Sequence, residues 1–401
     1  MNKRTFLVSM SAALLVLSAA VPTVLGGAPM TRVVDDDGMA AVNDCNAATP
    51  AAATISAAVA ASAPGDTITV CPGTYPEQVI VNKNDLKIRG AHTGQAATGC
   101  AARGNISRVT GVPASGSGAF WIQANRVLVD GFTISNNDGP GVQLGAAYYG
   151  SKIRNNRITG NVFGVYLNAS GAARTYINNN CIANNNNPGA ASGNGIYSDA
   201  GLNGATINNN SLRGHVNAGM LLLGGPAGAA VRNVTITNNF SFNDIVAINL
   251  SDVQKVLVYN NTVTQDAGGP QGSGSALRIG GFSGGAQTTS VQVISNTITS
   301  PHFAGVAIRD NADGIVVARN VIKGTEMGVD NTSTAPGAAV IRYNTITNTL
   351  NAGIYMHSGT SQNLITNNTV SGGSPNCQDD TTGPDTYGLA NSWSANGCVP
   401  A

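Results

Sequence analysis

"ITNNTV", Ile365–Val370, is a short polar stretch between two apolar residues, and the chain writes it again and again. "IRNNRI" begins at Ile153, "INNNCI" at Ile177, "INNNSL" at Ile207 and "VYNNTV" at Val258. Aligned on the frame apolar-x-x-Asn-x-apolar, the copies place asparagine at 156, 180, 210, 239, 261, 296, 320, 344 and 368, with the last three intervals each 24 residues. Twenty-four residues before Asn156 stands Phe132, in "VDGFTI", which has the same apolar frame. A second block follows most of these asparagines by eight or nine residues: "GVQL", "GVYL", "GMLL", "AINL", "GVAI", "GIYM". Each unit therefore reads strand, asparagine turn, strand, turn, strand.

A period of this length marks a stacked array. One unit is too short to bury its own apolar face, but stacked units pair each strand with its equivalent in the next coil. Alternation sets the faces: in "GVYL", Val165 and Leu167 point inward and Tyr166 outward. The asparagine recurs because turns stack as well. An inward amide can bond the asparagine of the next coil and the backbone at the bend, satisfying polar groups that a coiled chain would bury unpaired. Asn-x-Thr at Asn260 and Asn367 also fits a glycosylation acceptor. The strict register favours the ladder.

The totals agree with this reading. Fifty glycines and 5% aromatic residues in 401 disfavour long helices and suit short strands joined by tight turns. Only 10% of residues are charged and the net charge is +1, which argues against a nucleic-acid binder. Lys3 and Arg4, the apolar run Phe6 to Val24, and small residues up to Ala28 read as a signal peptide over 1–28. No later segment approaches ~18 apolar residues, so no stable membrane insertion is expected. Six cysteines fit an oxidising, secreted or periplasmic setting. Cys45 and Cys71 flank a candidate short helix, and Cys377 and Cys398 bracket the C-terminal tail; these are the expected bridges. Whether Cys100 joins Cys181 stays open. There is no CxxC and the four histidines are scattered, so no zinc or other metal site is expected. The sparse His and Met form no recognisable copper site either.

Together with "ISAAVAASAPGDTITVCPGTYPEQVIV", Ile55–Val81, these repeats resemble a right-handed parallel β-helix of the pectin-lyase-like class. The resemblance implies an all-β, three-sheeted solenoid opened by an amphipathic capping helix, here about Ala53 to Ser62. It divides the chain into a cap (about 45–65), coils (about 66–375) and a tail (376–401) within one domain, 29–401. It is strong for fold and weak for activity, because lyases, hydrolases, epimerases and adhesins share the architecture.

The resemblance also implies that a substrate lies along one sheet, outside the helix. The outward positions of the "GVYL"-type strand read Gln143, Tyr166, Tyr197, Leu221, Asn249, Arg278, Ala307, Asp330, Tyr355. Two residues on, they read Asn168, Asp199, Leu223, Ser251, Gly280, Arg309, Thr332, His357. Tyr166, Asn168, Tyr197, Asp199, Asn249 and Tyr355 are the candidate sugar-binding residues, offering rings and hydroxyl-bonding groups. Arg278, Arg309, Asp330 and His357 are the candidate catalytic residues. In pectate-lyase-like enzymes an arginine can act as base while acidic residues hold calcium; here clustered aspartates are missing, and calcium is implied only for a lyase. A hydrolase needs two or three close carboxylates, and no outward pair is visible.

Asn180 and Asn261 are each followed by 15 residues before the next outward strand, giving long loops at 184–194 and 264–275; further insertions follow Leu222 and Gly280. Loops on a rigid scaffold are where binding residues concentrate. The expectation is a secreted β-helix that binds, and as an enzyme would cleave by β-elimination or hydrolysis, an extended acidic polysaccharide. The alternative is a non-catalytic surface or adhesive β-helix.

Overall fold

The computed structural model describes residues 28–400 apart from 113–115, 136–137, 226–228, 267–273, 282–286, 301 and 382–389. The expected signal peptide therefore lies almost wholly outside the described residues. The chain is a parallel β-helix of three sheets, with 15, 12 and 12 strands among the described residues. Among the described residues every ladder between strands is parallel, and each strand pairs with its equivalents one coil away, as in Lys152–Arg154 between Leu128–Asp130 and Tyr176–Asn178. The only helix among the described residues is Ile55–Ala61, and it is not long enough to cross a membrane.

Apolar residues stack inward in register. One column of the 15-stranded sheet runs Ile153, Ile177, Ile207, Ile236 and Val258. All five are fully buried, as expected when each strand gives alternate residues to a common interior.

The asparagine column is a hydrogen-bonded ladder. The backbone N–H and side-chain Nδ2 of Asn320 both donate to Asn344 Oδ1, at 3.0 and 2.9 Å, and Nδ2 also reaches Val293 O at 2.9 Å. The same bonds run from Asn156 to Asn368 and on to Asn396, a rung beyond the nine recognised from the sequence. Phe132 takes the place of an asparagine, its N–H donating to Asn156 Oδ1 at 2.9 Å. The doubled asparagines have a second cause. The residue before each rung has a positive φ, 58° at Asn155 and Asn179 and 55° at Asn367, a conformation asparagine tolerates better than most residues. Ser295, Arg319 and Tyr343 adopt it without that advantage.

A second buried polar column forms five residues further on, at Asn161, Asn185, His215 and Asp244. Asn161 donates to Asn185 Oδ1 at 2.8 Å, and His215 Nδ1 meets Asp244 Oδ1 at 2.7 Å. His302, also buried, meets the Asp244 carbonyl at 3.2 Å. Two of the four histidines are thus structural, holding the bend.

The cap forms for local reasons. Thr54 accepts from Ala57 N at 3.1 Å, and the Glu77 carboxylate accepts from Ile55 N and Ser56 N at 2.7 and 2.8 Å. Glu77 of "PGTYPEQVIV" is therefore a remote cap for the helix N-terminus. Ile55, Ala58 and Val59 close the end of the core. Asp66 of "PGD" accepts from Met30 N and Ala63 N, bonds that hold its carboxyl below the usual range. Strand pairing extends past both ends of the expected coils. Thr31–Val34 pairs with Thr67–Val70, while Cys377–Asp379 and Ser392–Ser394 continue two sheets at the far end. All three bridges are present: Cys45–Cys71, Cys377–Cys398 and Cys100–Cys181.

Candidate functional site

The outward column read from the sequence is one column in space. Gln143 pairs with Tyr166, Tyr166 with Tyr197, and the register continues through Leu221, Asn249, Arg278, Ala307 and Asp330 to Tyr355. Trp121 and Ile80 extend it at one end and Gln378 at the other. Two groups of candidates stand on this column, five coil steps apart, or roughly 24 Å.

The first group is built around a carboxylate. Asp199 accepts from Tyr166 Oη at 2.6 Å, from Tyr197 Oη at 3.1 Å and from Asn168 Nδ2 at 3.5 Å. Asn168 Oδ1 in turn accepts from Ser198 Oγ and from the backbone of Asp199 and Ala200, which fixes the turn that carries the carboxylate. The two tyrosine rings lie parallel with centroids 5.8 Å apart, and Phe163 meets each edge-on at 5.5 and 5.6 Å. Their faces therefore meet each other, and their edges and hydroxyls are left to line a depression of about 340 Å³. Burial, followed by the Asp199 carboxylate, pushes the Tyr166 phenol up to about 12, and the same two causes raise Tyr197. Ala190 and Ala191 of the 184–194 loop form part of the rim. The other expected wall, 264–275, lies mostly outside the described residues.

The second group is a charge network. The Asp330 carboxylate, 2% exposed, meets Arg309 Nη1 at 2.6 Å and His357 Nε2 at 2.7 Å. Burial raises its pKa, but the His357 hydrogen bond and the Arg309 charge outweigh that and hold it below the usual carboxylate value. The Tyr355 and His357 rings lie 3.8 Å apart, and Tyr355 Oη donates to Asp380, whose other oxygen accepts from Gln378 at 2.9 Å. The Asp380 bond, then burial, push Tyr355 up to about 12, while its hydrogen bonds lower Asp380. Arg278 is half-buried and donates to Gly281 O at 3.3 Å; burial and the Arg309 charge lower its pKa.

The four catalytic candidates are thus neighbours, but Arg309 and Asp330 are spent on each other. Pairing with Asp330 disfavours Arg309 as a base, whereas Arg278 stands outside that pair, and an Asp330 carboxylate already accepting from Arg309 and His357 is poorly disposed to hold calcium. Among the described residues the only three metal-type ligand atoms close together are those of Asp35, Cys45 and Cys71, and the two sulfurs are joined in a disulfide. Asn249 is buried, its Oδ1 without a partner, so it is not offered to a ligand. Sequence reasoning missed Asp380, Phe163 and Asp138. Asp380 continues the second outward column in "CQDD", where the repeat frame fails; Asp138 lines the tyrosine depression from the bend before Pro140–Leu144.

The chain belongs to the right-handed β-helix family: the family described as Right handed beta helix region matches residues 81–236 and 227–398. No curated protein sequence matches the chain. Among solved structures, the catalytic unit of a thermostable GH87 α-1,3-glucanase from Streptomyces thermodiastaticus is similar at 13% identity. Its TM-score is 0.57, and the match covers 92% of this chain and 68% of that one. XylC, solved with xylose, is similar at 14% identity and a TM-score of 0.52, covering 92% and 84%. A pectate lyase is 17% identical with a TM-score of 0.46, covering 77% and 78%. At these identities the likeness is one of fold.

Proposed function

We propose that the chain is a carbohydrate-binding β-helix protein working outside the cytoplasm, and that the Tyr166–Tyr197–Asp199 depression holds one sugar of an extended polysaccharide. The observation that carries this is the make-up of its walls. Phe163, Tyr166 and Tyr197 supply apolar area, while Asp138, Gln143 and Asp199 supply polar groups. A sugar ring presents both a C–H surface and hydroxyl donors, and needs both kinds of partner. The coil rise of ~4.8 Å lets neighbouring sugars follow the outward column. Two carboxylates on one pocket disfavour a uronate there, so the pocket takes an uncharged sugar. The expectation that Arg278 and Arg309 grip an acidic chain loses support, because Arg309 is already paired with Asp330. Disulfides and the N-terminal leader pattern support an extracytoplasmic setting.

Isothermal titration against a panel of neutral and acidic polysaccharides tests the reading. Asp199→Asn keeps the shape and removes the charged acceptor, and is expected to weaken the best neutral ligand roughly tenfold to hundredfold. Tyr197→Ala is expected to weaken it about tenfold. If both variants bind every ligand as the parent does, the pocket is not the site. The same panel, followed for new reducing ends, tests cleavage. Asp138 and Asp199 are the two carboxylates that line the depression, so if new reducing ends form, Asp138→Asn is expected to abolish turnover.

A further inference from the structure

The net charge of +1 conceals a strong segregation. Between residues 83 and 174 there are ten Lys and Arg against three Asp and no Glu, a net +7. Of the three acids, Asp85 is paired with Arg126 at 2.6 Å and Asp130 with Arg154 at 3.0 Å, while Asp138 lines the tyrosine depression on another sheet. None of the other eight cations makes an ion pair among the described residues.

The coil register gathers these side chains, although they are far apart in the chain. Lys87 and Lys152 flank Leu128 in one column of the 15-stranded sheet, and Arg89 and Arg154 flank Asp130. Around the asparagine bend, Arg108 and Arg157 flank Thr133 on the next sheet. Each pair is two coil steps apart, or about 10 Å. The loop 90–105 lies across the bend between the two sheets. It is held by His92 N to Gly131 O at 3.1 Å, by Ala97 N to Asn179 O at 2.8 Å and by Cys100–Cys181. It also delivers Arg103, whose guanidinium donates to Asn155 O and Gln95 O at 2.9 and 2.8 Å. Arg103 feels the charge of Arg157, and Arg157 Nε is buried with no partner.

Like charges held about 10 Å apart on one face repel each other and cost some stability. Nothing in the core requires it, since Lys87 and Lys152 are exposed. We infer that this basic surface, spanning two sheets around the Asn155 bend, is a docking site for an anionic polysaccharide bearing carboxylate or sulfate groups. A small anion would meet one or two of these cations. A chain with a charge on each sugar or every second sugar would meet several, with arginines forming paired bonds to its oxyanions. The bridged loop and the extracytoplasmic setting favour a glycan over a nucleic acid. The site lies on other sheets than the tyrosine depression and stands independently of it.

The experiment measures binding of the full chain to polygalacturonate, dextran sulfate, neutral dextran and a single-stranded oligonucleotide. The wild type is expected to hold polygalacturonate or dextran sulfate, to release it as salt rises, and to ignore neutral dextran at this surface. The triple variant Lys87→Gln, Arg89→Gln, Lys152→Gln is expected to bind the anionic glycan at least about tenfold more weakly, with a circular dichroism melt no lower than the parent's. Tyr197→Ala is expected to leave that binding intact. The inference is overturned if the triple variant binds like the parent, if neither anionic glycan binds, or if Tyr197→Ala abolishes the binding. It is overturned equally if the oligonucleotide binds more tightly than both glycans, which would make the partner a nucleic acid.

Discussion

The two clusters on the outward column have similar ingredients and opposite arrangements. Each has a tyrosine bonded to a carboxylate, and each was singled out by residue type. Around Asp199 the donors are neutral, two phenols and an amide, and a depression of about 340 Å³ opens beside them. Around Asp330 the donors are a guanidinium and an imidazole, and they close on the carboxylate at 2.6 and 2.7 Å. A carboxylate whose partners are neutral keeps its charge available to a ligand. One whose partners carry charge has its field cancelled locally and serves the fold. On the reading proposed above, the first cluster serves recognition and the second holds three successive coils together.

The largest expected effect separates those roles. Asp330→Ala should cost about 3 kcal/mol in a urea titration, the low end for breaking a buried pair because His357 is partly exposed. Neutral-glycan binding should be unaffected. Asp199→Ala should do the reverse, lowering affinity while changing stability by less than about 1 kcal/mol. The acid limb sharpens the contrast. Asp330 has a folded pKa below its unfolded value of about 3.9. Its contribution is therefore fully present above that value and disappears as pH falls through the folded pKa. The melting-temperature gap between wild type and Asp330→Ala should be wide at neutral pH and close only in strong acid. A gap that does not change with pH would mean that the ion pair is not its source.

A smaller effect tests whether stacked asparagines are equal. Asn320 is buried, and its removal leaves the Val293 carbonyl and the Asn344 amide oxygen each short of a donor; Asn320→Ala should cost about 1–3 kcal/mol. Asn260 donates to Asn238 Oδ1 at 2.7 Å in an exposed outer ladder. There water replaces the bond, so Asn260→Gly, which also suits the positive φ of 53°, should change stability by less than about 0.5 kcal/mol.

The fold was legible because two periods coincide: alternation within strands, and an asparagine slot that counts the coils. Together they set the register, and the column from Gln143 to Tyr355 follows from them. What stayed hidden lay where a period fails or where two distant segments meet. Asp380 sits past the last regular copy, and Asp138 in a bend outside the alternating frame. The basic surface was invisible for another reason. Lys87 and Lys152 are 65 residues apart, and a net charge of +1 averages them against acids elsewhere. Residue type named Arg309 and Asp330 as reactive; only geometry shows that they neutralise each other.

The smallest effect is spectroscopic and compares the two tyrosine–carboxylate contacts directly. Tyr166 and Tyr355 both ionise at about 12, but from different leading causes. For Tyr355 the hydrogen bond to Asp380 comes first and burial second. For Tyr166 burial comes first, with the Asp199 bond behind it. Replacing the carboxylate should therefore separate them. In an alkaline ultraviolet titration, Asp380→Asn should return one phenol most of the way to the ordinary value of about 10. Asp199→Asn should lower Tyr166 only in part, because the walls formed by Phe163 and Tyr197 still keep water from the phenolate. Both raised values sit above the unfolded pKa, so whatever stability they carry is present at neutral pH and fades only as pH climbs through the folded value. Equal shifts in the two variants would show that Phe163 and Tyr197 shield the depression from water no better than the charged cluster is shielded, which would count against it as a ligand pocket.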